Sequence, residues 1–387
     1  MTAPIPDIER RMALIRHNCA ELLTEAELRR LLESGQPLRH YIGFEISGRI
    51  HIGQGLVCMA KVADLQRAGV ACHVLLADWH TWVNDKLGGD RARIREVALG
   101  YFAEGLRAGL RCVGGDPDAV TFVLGSDLYH HNDDYWATLI EVSKHTTLAR
   151  MQRSISIMGR EEGDSIDFAK LVYPPMQVAD IFIQGINLAH AGMDQRKAHV
   201  IARDVAMQLT VSPLLGAHGE RIKPLAVHHD VIMGLSPPSV PVPDGAAKRE
   251  LITAMKMSKS KPQSAIFIHD EPEEITRKVR KAYCPPGEVE LNPVLDWVRA
   301  LVFNIGGGPF EVDRTPENGG PLTFADAAAV EHAYLDGSLH PMDLKAALTT
   351  WLVRTLAPAR EHFAQPLARQ QLDELERLLE PARPSRG

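Results

Sequence analysis

Residues Tyr41 to Leu56 read YIGFEISGRIHIGQGL, and the order of residue types predicts a short strand (Tyr41 to Phe44), a Gly/Ser turn through Ser47 and Gly48, and a helix beginning near His51. A strand that turns tightly into a helix makes an anion site, because the first helical N–H groups have no partner inside the helix. Nucleotide phosphates suit such a site. The spacing is neither GxxxxGK[ST] nor GxGxxG, so a P-loop and a dinucleotide fingerprint are both excluded. What stands there instead is His-Ile-Gly-Gln, in which His51 can donate to a phosphate and Gly53 leaves room for an adenine ring against the backbone. Taken alone, a His-x-Gly at a helix start is most often a plain cap.

A second stretch changes that balance. Lys256-Met257-Ser258-Lys259-Ser260 spells KMSKS, and two lysines in a Ser-rich loop are suited to the β- and γ-phosphates of ATP as pyrophosphate leaves. On its own such a loop is an ordinary solvated surface. HIGQ followed far downstream by KMSKS resembles the paired signatures of class I aminoacyl-tRNA synthetases. That resemblance implies catalytic roles for His51, Gln54, Lys256 and Lys259, and an ATP site built from Gly43, His51, Gly53, Met257 and Ser258.

The chain has 387 residues, enough for a catalytic unit and a smaller partner. Its hydrophobic fraction of 45% supports ordinary buried cores. No run of eighteen apolar residues occurs and MTAPIPDIERR lacks a signal-peptide core, so a cytoplasmic protein with no membrane partner is expected. Cys19, Cys58, Cys72, Cys112 and Cys284 have no CxxC spacing, which argues against a disulfide framework and a zinc site alike. A net charge of -6 carries no global nucleic-acid footprint, so any RNA contact must be local.

In chain order, residues 8 to 35 predict one or two amphipathic helices with Gly35 as the stop. Val70 to Leu76 is a nearly continuous apolar run and predicts a buried parallel strand, with Asp78 and His80 at the carboxyl end where ligands bind in open α/β sheets. A capping Asp and a satisfied core His fit those two residues equally well. A long helix is expected over Asp90 to Leu110, then a strand over Val120 to Leu124. Residues 132 to 160 read as helical, with Lys144, Arg150, Arg153 and Arg160 along a face that is solvated in the ordinary case.

In Tyr173-Pro-Pro-Met-Gln-Val-Ala-Asp180 the two prolines predict a helix that opens after Tyr173, because proline is tolerated in a first turn. Gln177 and Asp180 then share one face of an otherwise apolar helix. A buried Asp needs a donor, and a salt bridge would meet that need as well as a ligand would. The stretch 236–254, rich in proline and small residues, predicts a mobile insertion before KMSKS. From Pro272 onward the pattern is helical: Glu273 to Ala282, Asn292 to Phe303, Thr323 to Leu335 and Pro341 to Leu356, then an amphipathic tail from Ala368. The domain boundary falls near Asp270.

Seven stretches stand in order: YIGFExSG before HIGQ, LLADxH, YPxMQVxD, GMxQRK, KMSKS, KAYCPxG and HPMDLK. Together, over about Ile15 to His362, they resemble the tyrosyl-tRNA synthetases of archaeal and eukaryotic type. The resemblance implies an α/β fold with a Rossmann-like parallel sheet flanked by helices, a catalytic domain over 1–270 with an inserted dimer and acceptor-stem region at 115–160, and an all-helical anticodon-binding domain over 271–387. It implies a homodimer that uses ATP, with Mg2+ arriving on the ATP, and whose substrates are tyrosine and tRNA(Tyr); no resident metal is expected. Tyr41 and Asp180 would hold the phenol, Tyr173, Gln177 and Gln195 the α-amino group, and Glu45, His80, Tyr129 and Gln184 would complete the pocket. Arg153 and Arg196 would read a C1–G72 first base pair, while His340 and Asp343 would act at the anticodon.

The sequence also departs from the pattern. Gln54 replaces the last His of HIGH, and Tyr129 and Gln184 stand where a Gln and a Leu are usual. Ile186-Asn187 and Ala191-Gly192 replace Val-Asp and Gly-Gly, and an anticodon-stacking aromatic is replaced by Leu301, with Phe303 nearby. Two substrates therefore remain open at this point, tyrosine and a modified tyrosine or related aromatic. Tryptophan fits less well, since Tyr41 and Asp180 suit a phenol. A retired RNA-binding paralogue would have lost His51, Lys256 or Lys259.

Overall fold

The computed structural model describes residues 7–159, 167–238, 251, 255–259 and 261–380. Arg160, Ser260 and nearly all of the Pro-rich stretch before KMSKS lie outside the described residues, as does the PARPSRG tail.

Six strands form the main sheet: β1 (Glu21–Leu23), β2 (Arg39–Phe44), β3 (Ala71–Leu76), β4 (Val120–Leu124), β5 (Leu188–Gly192) and β6 (Leu225–His229), in the order β1-β6-β5-β2-β3-β4. All neighbours are parallel except β1 against β6. The apolar run read as a buried strand is β3. β5 and β6 are buried at every position, as strands covered on both faces must be. α1 (Ile8–Arg16) precedes the sheet, and between the strands run α2 (Glu25–Glu33), α3 (Met59–Arg67), α4 (Asp78–Val83), α5 (Arg91–Val97), α6 (Ala103–Cys112), α7 (Gly125–Tyr129), α8 (Asp133–Lys144), α9 (Leu148–Ser154), α10 (Phe168–Ile183) and α11 (Arg196–Val205).

Four expectations are corrected. Residues 8–35 hold two helices, but β1 lies between them and pairs with the edge of the sheet. Only a tertiary partner makes that three-residue stretch a strand. The expected helix over Asp90 to Leu110 is interrupted by a wide π-turn at Ala98–Phe102, where Gly100 leaves helical geometry. α10 begins at Phe168, upstream of the prolines: Asp167 caps an additional first turn, and Tyr173, Pro174 and Pro175 lie inside the helix. The two prolines remove the N–H groups that would reach back to the carbonyls of Lys170 and Leu171, and the helix continues because both prolines are buried in packing.

The fourth correction concerns the C-terminal part, which is helical apart from one hairpin. Its helices are α12 (Pro272–Lys281), α13 (Pro293–Trp297, continued by a π-turn to Gly306), α14 (Ala327–Leu335), α15 (Pro341–Thr355), α16 (Ala357–Phe363) and α17 (Pro366–Leu379). β7 (Phe310–Val312) and β8 (Leu322–Phe324) form an antiparallel hairpin, so the stretch from Thr323 starts as strand, and its helix begins only at Ala327. The C-terminal helices begin at Pro272. The buried core is nevertheless continuous across that point.

Candidate active site

β2 pairs with β3 through Phe44 but with β5 only at His40 and Tyr41. Beyond Tyr41 the sheet therefore opens between β2 and β5, at the point where the strand order reverses and where open α/β sheets bind ligands. Gly43, on a central strand, is exposed in that crevice. A side chain there would meet the Tyr41 hydroxyl at 3.1 Å, so glycine leaves the Tyr41 ring its place.

One end of the crevice is lined by phenols around a carboxylate. Asp180 is fully buried and accepts from the Tyr129 hydroxyl at 3.0 Å, while Oδ2 has no partner. Burial pushes the Asp180 carboxyl well up; the nearby hydroxyls of Tyr129 and Tyr135 oppose this. Burial, reinforced by Asp180, also pushes the Tyr41 phenol up. His80 Nε2 lies 3.6 Å from Asp180 Oδ2, but burial draws the imidazole down to about 3. The pair is thus a neutral ring beside a carboxyl, not an ion pair. Gln184 reaches back to donate to the Asp180 main-chain carbonyl at 2.8 Å, which places it at the rear of the helix turn.

About two turns nearer the helix start, the Tyr173 hydroxyl donates to Glu45 at 2.8 Å, and the Asn84 amide donates to the same oxygen at 2.9 Å. Burial raises the Glu45 carboxyl against these two donors. The Tyr173 ring meets His80 edge-on, centroids 4.6 Å apart. The Gln177 amide is 3.4 Å from Gln195 Oε1, and Gln177 Oε1 is buried without a partner. Gln195 is aimed by its donation to the Ile157 carbonyl at 2.8 Å.

The two signatures meet at the other end. Ile52 N–H donates to the Ile266 carbonyl and Ile268 N–H to that of Ile50, which anchors HIGQ to the segment following KMSKS. Met257 N–H bonds the Ile232 carbonyl at 2.9 Å. Helical structure begins beside His51 as expected, but Gly53–Cys58 forms a π-turn, a geometry frequent at functional sites. The His51 ring folds back over Gly53, whose N–H donates to Nδ1 at 3.1 Å. A Cβ at Gly53 would stand 2.9 Å from that ring, so the glycine makes room for His51 itself. Burial, with Lys259 and Lys256 adding to it, draws His51 down to about 3. The Gln54 amide oxygen is buried without a partner.

Neither signature lysine projects freely. Lys256 pairs with Asp194 at 2.7 Å. Burial works to raise that carboxyl, but Lys256, Gln195 and His229 together bring it below the usual carboxylate range. Lys259 donates to Ser47 Oγ at 2.9 Å and sits 5.0 Å from the Phe102 ring centroid. Burial draws its ammonium down to about 7, with Glu45 opposing and Lys86 assisting.

Arg153 is exposed at the end of α9, and its carbonyl accepts from Lys197 at 2.7 Å, which brings it beside the Arg196 segment. The Arg196 fork is closed on Glu21 at 2.7 and 2.8 Å. His340 caps α15 through its ring, and Asp343 lies in the first turn of that helix, within the C-terminal part. Leu301 is completely buried and no base can reach it; Phe303 is half-buried, 6.4 Å from Phe310. Sequence reasoning missed Asp194, Ser47, Asn84 and Tyr135. The first two lie inside quoted motifs and pair with signature lysines. Nothing local marks Asn84 or Tyr135.

Residues 33–357 match the family described as tRNA synthetases class I (W and Y). The chain is 55% identical to a tyrosine–tRNA ligase of Thermococcus kodakarensis and 52% to one of Pyrococcus furiosus, each time over 92% of this chain and 95% of the relative. The crystal structure of a Pyrococcus horikoshii tyrosyl-tRNA synthetase complexed with L-tyrosine superposes with a TM-score of 0.92 at 50% identity, covering 96% of this chain and all of that one. A tryptophanyl-tRNA synthetase of Aeropyrum pernix shares the fold at 19% identity, with a TM-score of 0.62 over 92% of this chain and 86% of its own.

Proposed function

Because the chain belongs to the class I tRNA synthetases of the tryptophan and tyrosine branch, we propose that it is a tyrosine–tRNA ligase, activating tyrosine with ATP and transferring it to tRNA(Tyr). The observation that carries the choice of amino acid is the pair of unpartnered acceptors on α10, Asp180 Oδ2 and Gln177 Oε1. They lie one helical turn apart. A tyrosine laid along them offers its phenol proton to Asp180 and its ammonium to Gln177, and its phenol oxygen can accept from Tyr41. An indole N–H can only donate and would leave Tyr41 unmatched. Identity above 50% to relatives named for tyrosine favours tyrosine itself over a modified form.

In this reading the tyrosine carboxylate attacks the α-phosphorus of ATP, the bond to pyrophosphate breaks, and tyrosyl-adenylate forms. The nucleophile is already ionised, so the protein contributes positioning and charge rather than a base. Lys256 and Lys259 leave Asp194 and Ser47 to meet the departing pyrophosphate, and magnesium enters on the phosphates. A ribose hydroxyl at the tRNA 3′ end then attacks the acyl carbon and AMP leaves. Residues 1–270 do this chemistry, and the part from 271 binds the anticodon arm through His340 and Asp343, with Leu301 taking no part. Arg153 and Arg196 lie at the acceptor end.

A homodimer would be formed through the 115–160 region, whose α8 exposes Ile140 and Trp136, the latter against Trp79. The enzyme would work in the cytoplasm; among the described residues no helix is long and apolar enough to cross a membrane. Pyrophosphate exchange with tyrosine, ring-substituted tyrosines, phenylalanine and tryptophan tests the assignment. Tyrosine should drive exchange best, and exchange with a substituted tyrosine alone would replace it.

A further inference from the structure

The turn that leads into HIGQ is held from outside the catalytic part. Ser47-Gly48-Arg49 sits at the mouth of the nucleotide end, where Lys259 bonds Ser47. Gly48 has φ +117°, which L side chains rarely adopt, and the space a Cβ would take is bounded by Leu379 of α17 at 3.6 Å and by Lys259 at 3.9 Å. Arg49 makes a two-pronged ion pair with Glu376, also on α17, and both side chains are about two-thirds buried. The Arg49 guanidinium also lies 5.3 Å from the Phe267 ring centroid, and Phe267 is bridged to His51.

The next residue is fixed from the same side. Ile50 N–H donates to the Tyr101 hydroxyl at 2.9 Å, and the Tyr101 ring packs 5.4 Å from Phe363 of α16. Gln371 of α17 covers Gly100 in the π-turn that carries Tyr101. Helices α16 and α17 therefore grip Gly48, Arg49 and Ile50 in sequence, immediately before the signature.

We propose that Arg49 and Glu376 are positioning residues for adenylate formation: the ion pair, with Leu379 on Gly48, lets the C-terminal helix hold the phosphate-facing turn at the distance Lys259 requires. The inference rests on reading Ser47–His51 as the nucleotide end. A planar arginine fork on a carboxylate fixes both distance and angle, and a misplaced turn lowers rate and nucleotide affinity without touching the amino-acid end.

The test compares wild type with Glu376→Gln, Glu376→Asp and Leu379→Ala, and with Arg369→Ala as a control that breaks the exposed Arg369–Asp373 pair on the same helix. Amide hydrogen exchange at Ile50 and Ile52 is read without substrates. It should quicken about tenfold in Glu376→Gln and Leu379→Ala, less in Glu376→Asp, and not in Arg369→Ala. In tyrosine-dependent pyrophosphate exchange, Glu376→Gln should raise KM for ATP several-fold and leave KM for tyrosine unchanged. Unaltered amide exchange in Glu376→Gln, or equal changes in both KM values, overturns the proposal. Quickened amides in a protein whose wild type gives no tyrosine-dependent exchange would uphold the grip and overturn the tyrosine reading instead.

Discussion

The Tyr129 hydroxyl donates to one oxygen of Asp180 at 3.0 Å, and the other oxygen, buried, has no hydrogen-bond partner among the described residues. Tyr129 thus orients the carboxylate and leaves one acceptor for a ligand. Its appearance where a glutamine is usual changes which donor does this, while Asp180 remains the acceptor.

Asp180→Ala should narrow the preference for tyrosine over phenylalanine most, out of a ratio of about 10⁴–10⁵ carried over from tyrosyl-tRNA synthetase itself. Tyr129→Phe should narrow it by about tenfold, the loss of one buried hydrogen bond. The ratio of kcat/KM in pyrophosphate exchange measures both. An unchanged ratio in Asp180→Ala would remove it from the phenol end.

Lys256→Ala and Lys259→Ala should each slow single-turnover adenylate formation by about 10²-fold or more and leave tyrosine binding intact, because phosphate charge shifts mainly in the transition state. Since burial draws Lys259 down to about 7, its charge is present below that pH and lost as pH rises through it. KM for ATP should therefore climb between pH 6.5 and 8.5, and Lys259→Arg should flatten the profile. A flat profile in wild type would mean that Lys259 stays charged or does not meet the nucleotide.

A chain of buried histidines crosses the sheet. His40 Nε2 is 3.1 Å from His190 Nδ1, and His190 Nε2 is 2.8 Å from His229 Nδ1. His190 uses both ring nitrogens, so neutral rings with their N–H groups pointing one way satisfy the chain. Burial draws His40 to about 3, His229 to about 4, and His190 well below the usual range. An unfolded histidine titrates near 6.5, so this stabilisation is full above that pH and is lost as pH falls toward 4. Urea unfolding at pH 7.5 and 5.0 should show His190→Gln losing less stability than wild type on acidification, by about 1–2 kcal/mol. Identical losses would show that the chain is not what acid attacks.

Arg196→Ala should leave adenylate formation nearly intact and lower transfer to tRNA, with the deficit of about 10- to 100-fold falling mainly on tRNA carrying C1–G72. The fork now held by Glu21 must be released to engage guanine, and a lysine at a phosphate would carry no sequence information. Transcripts with C1–G72 and G1–C72 should be aminoacylated by wild type, Arg153→Ala and Arg196→Ala. Equal use of both transcripts by wild type would eliminate this contact.

Residue order alone determined β2, β3, β4 and the places of both signatures, because an apolar run and a tight turn before a helix are local statements about burial and backbone; β5 and β6 were not read as strands. It also determined that Gln177 and Asp180 share a face, since three residues of α-helix return to the same side. That inference survived an error in the helix start, because Asp167 lengthened α10 upstream without rotating it.

Partners far apart in the chain were a matter for tertiary structure. Glu21 becomes a strand residue only beside β6, and only there does it meet Arg196. Asp194 and Ser47 hold lysines that read as free charges in sequence, and Glu376 reaches Arg49 across most of the chain. Leu301, placed by analogy at a stacking surface, is inside the core. A side chain's periodicity reports which face it occupies; which charge, ring or backbone turn it meets depends on how separate elements pack, and no local pattern carries that distance.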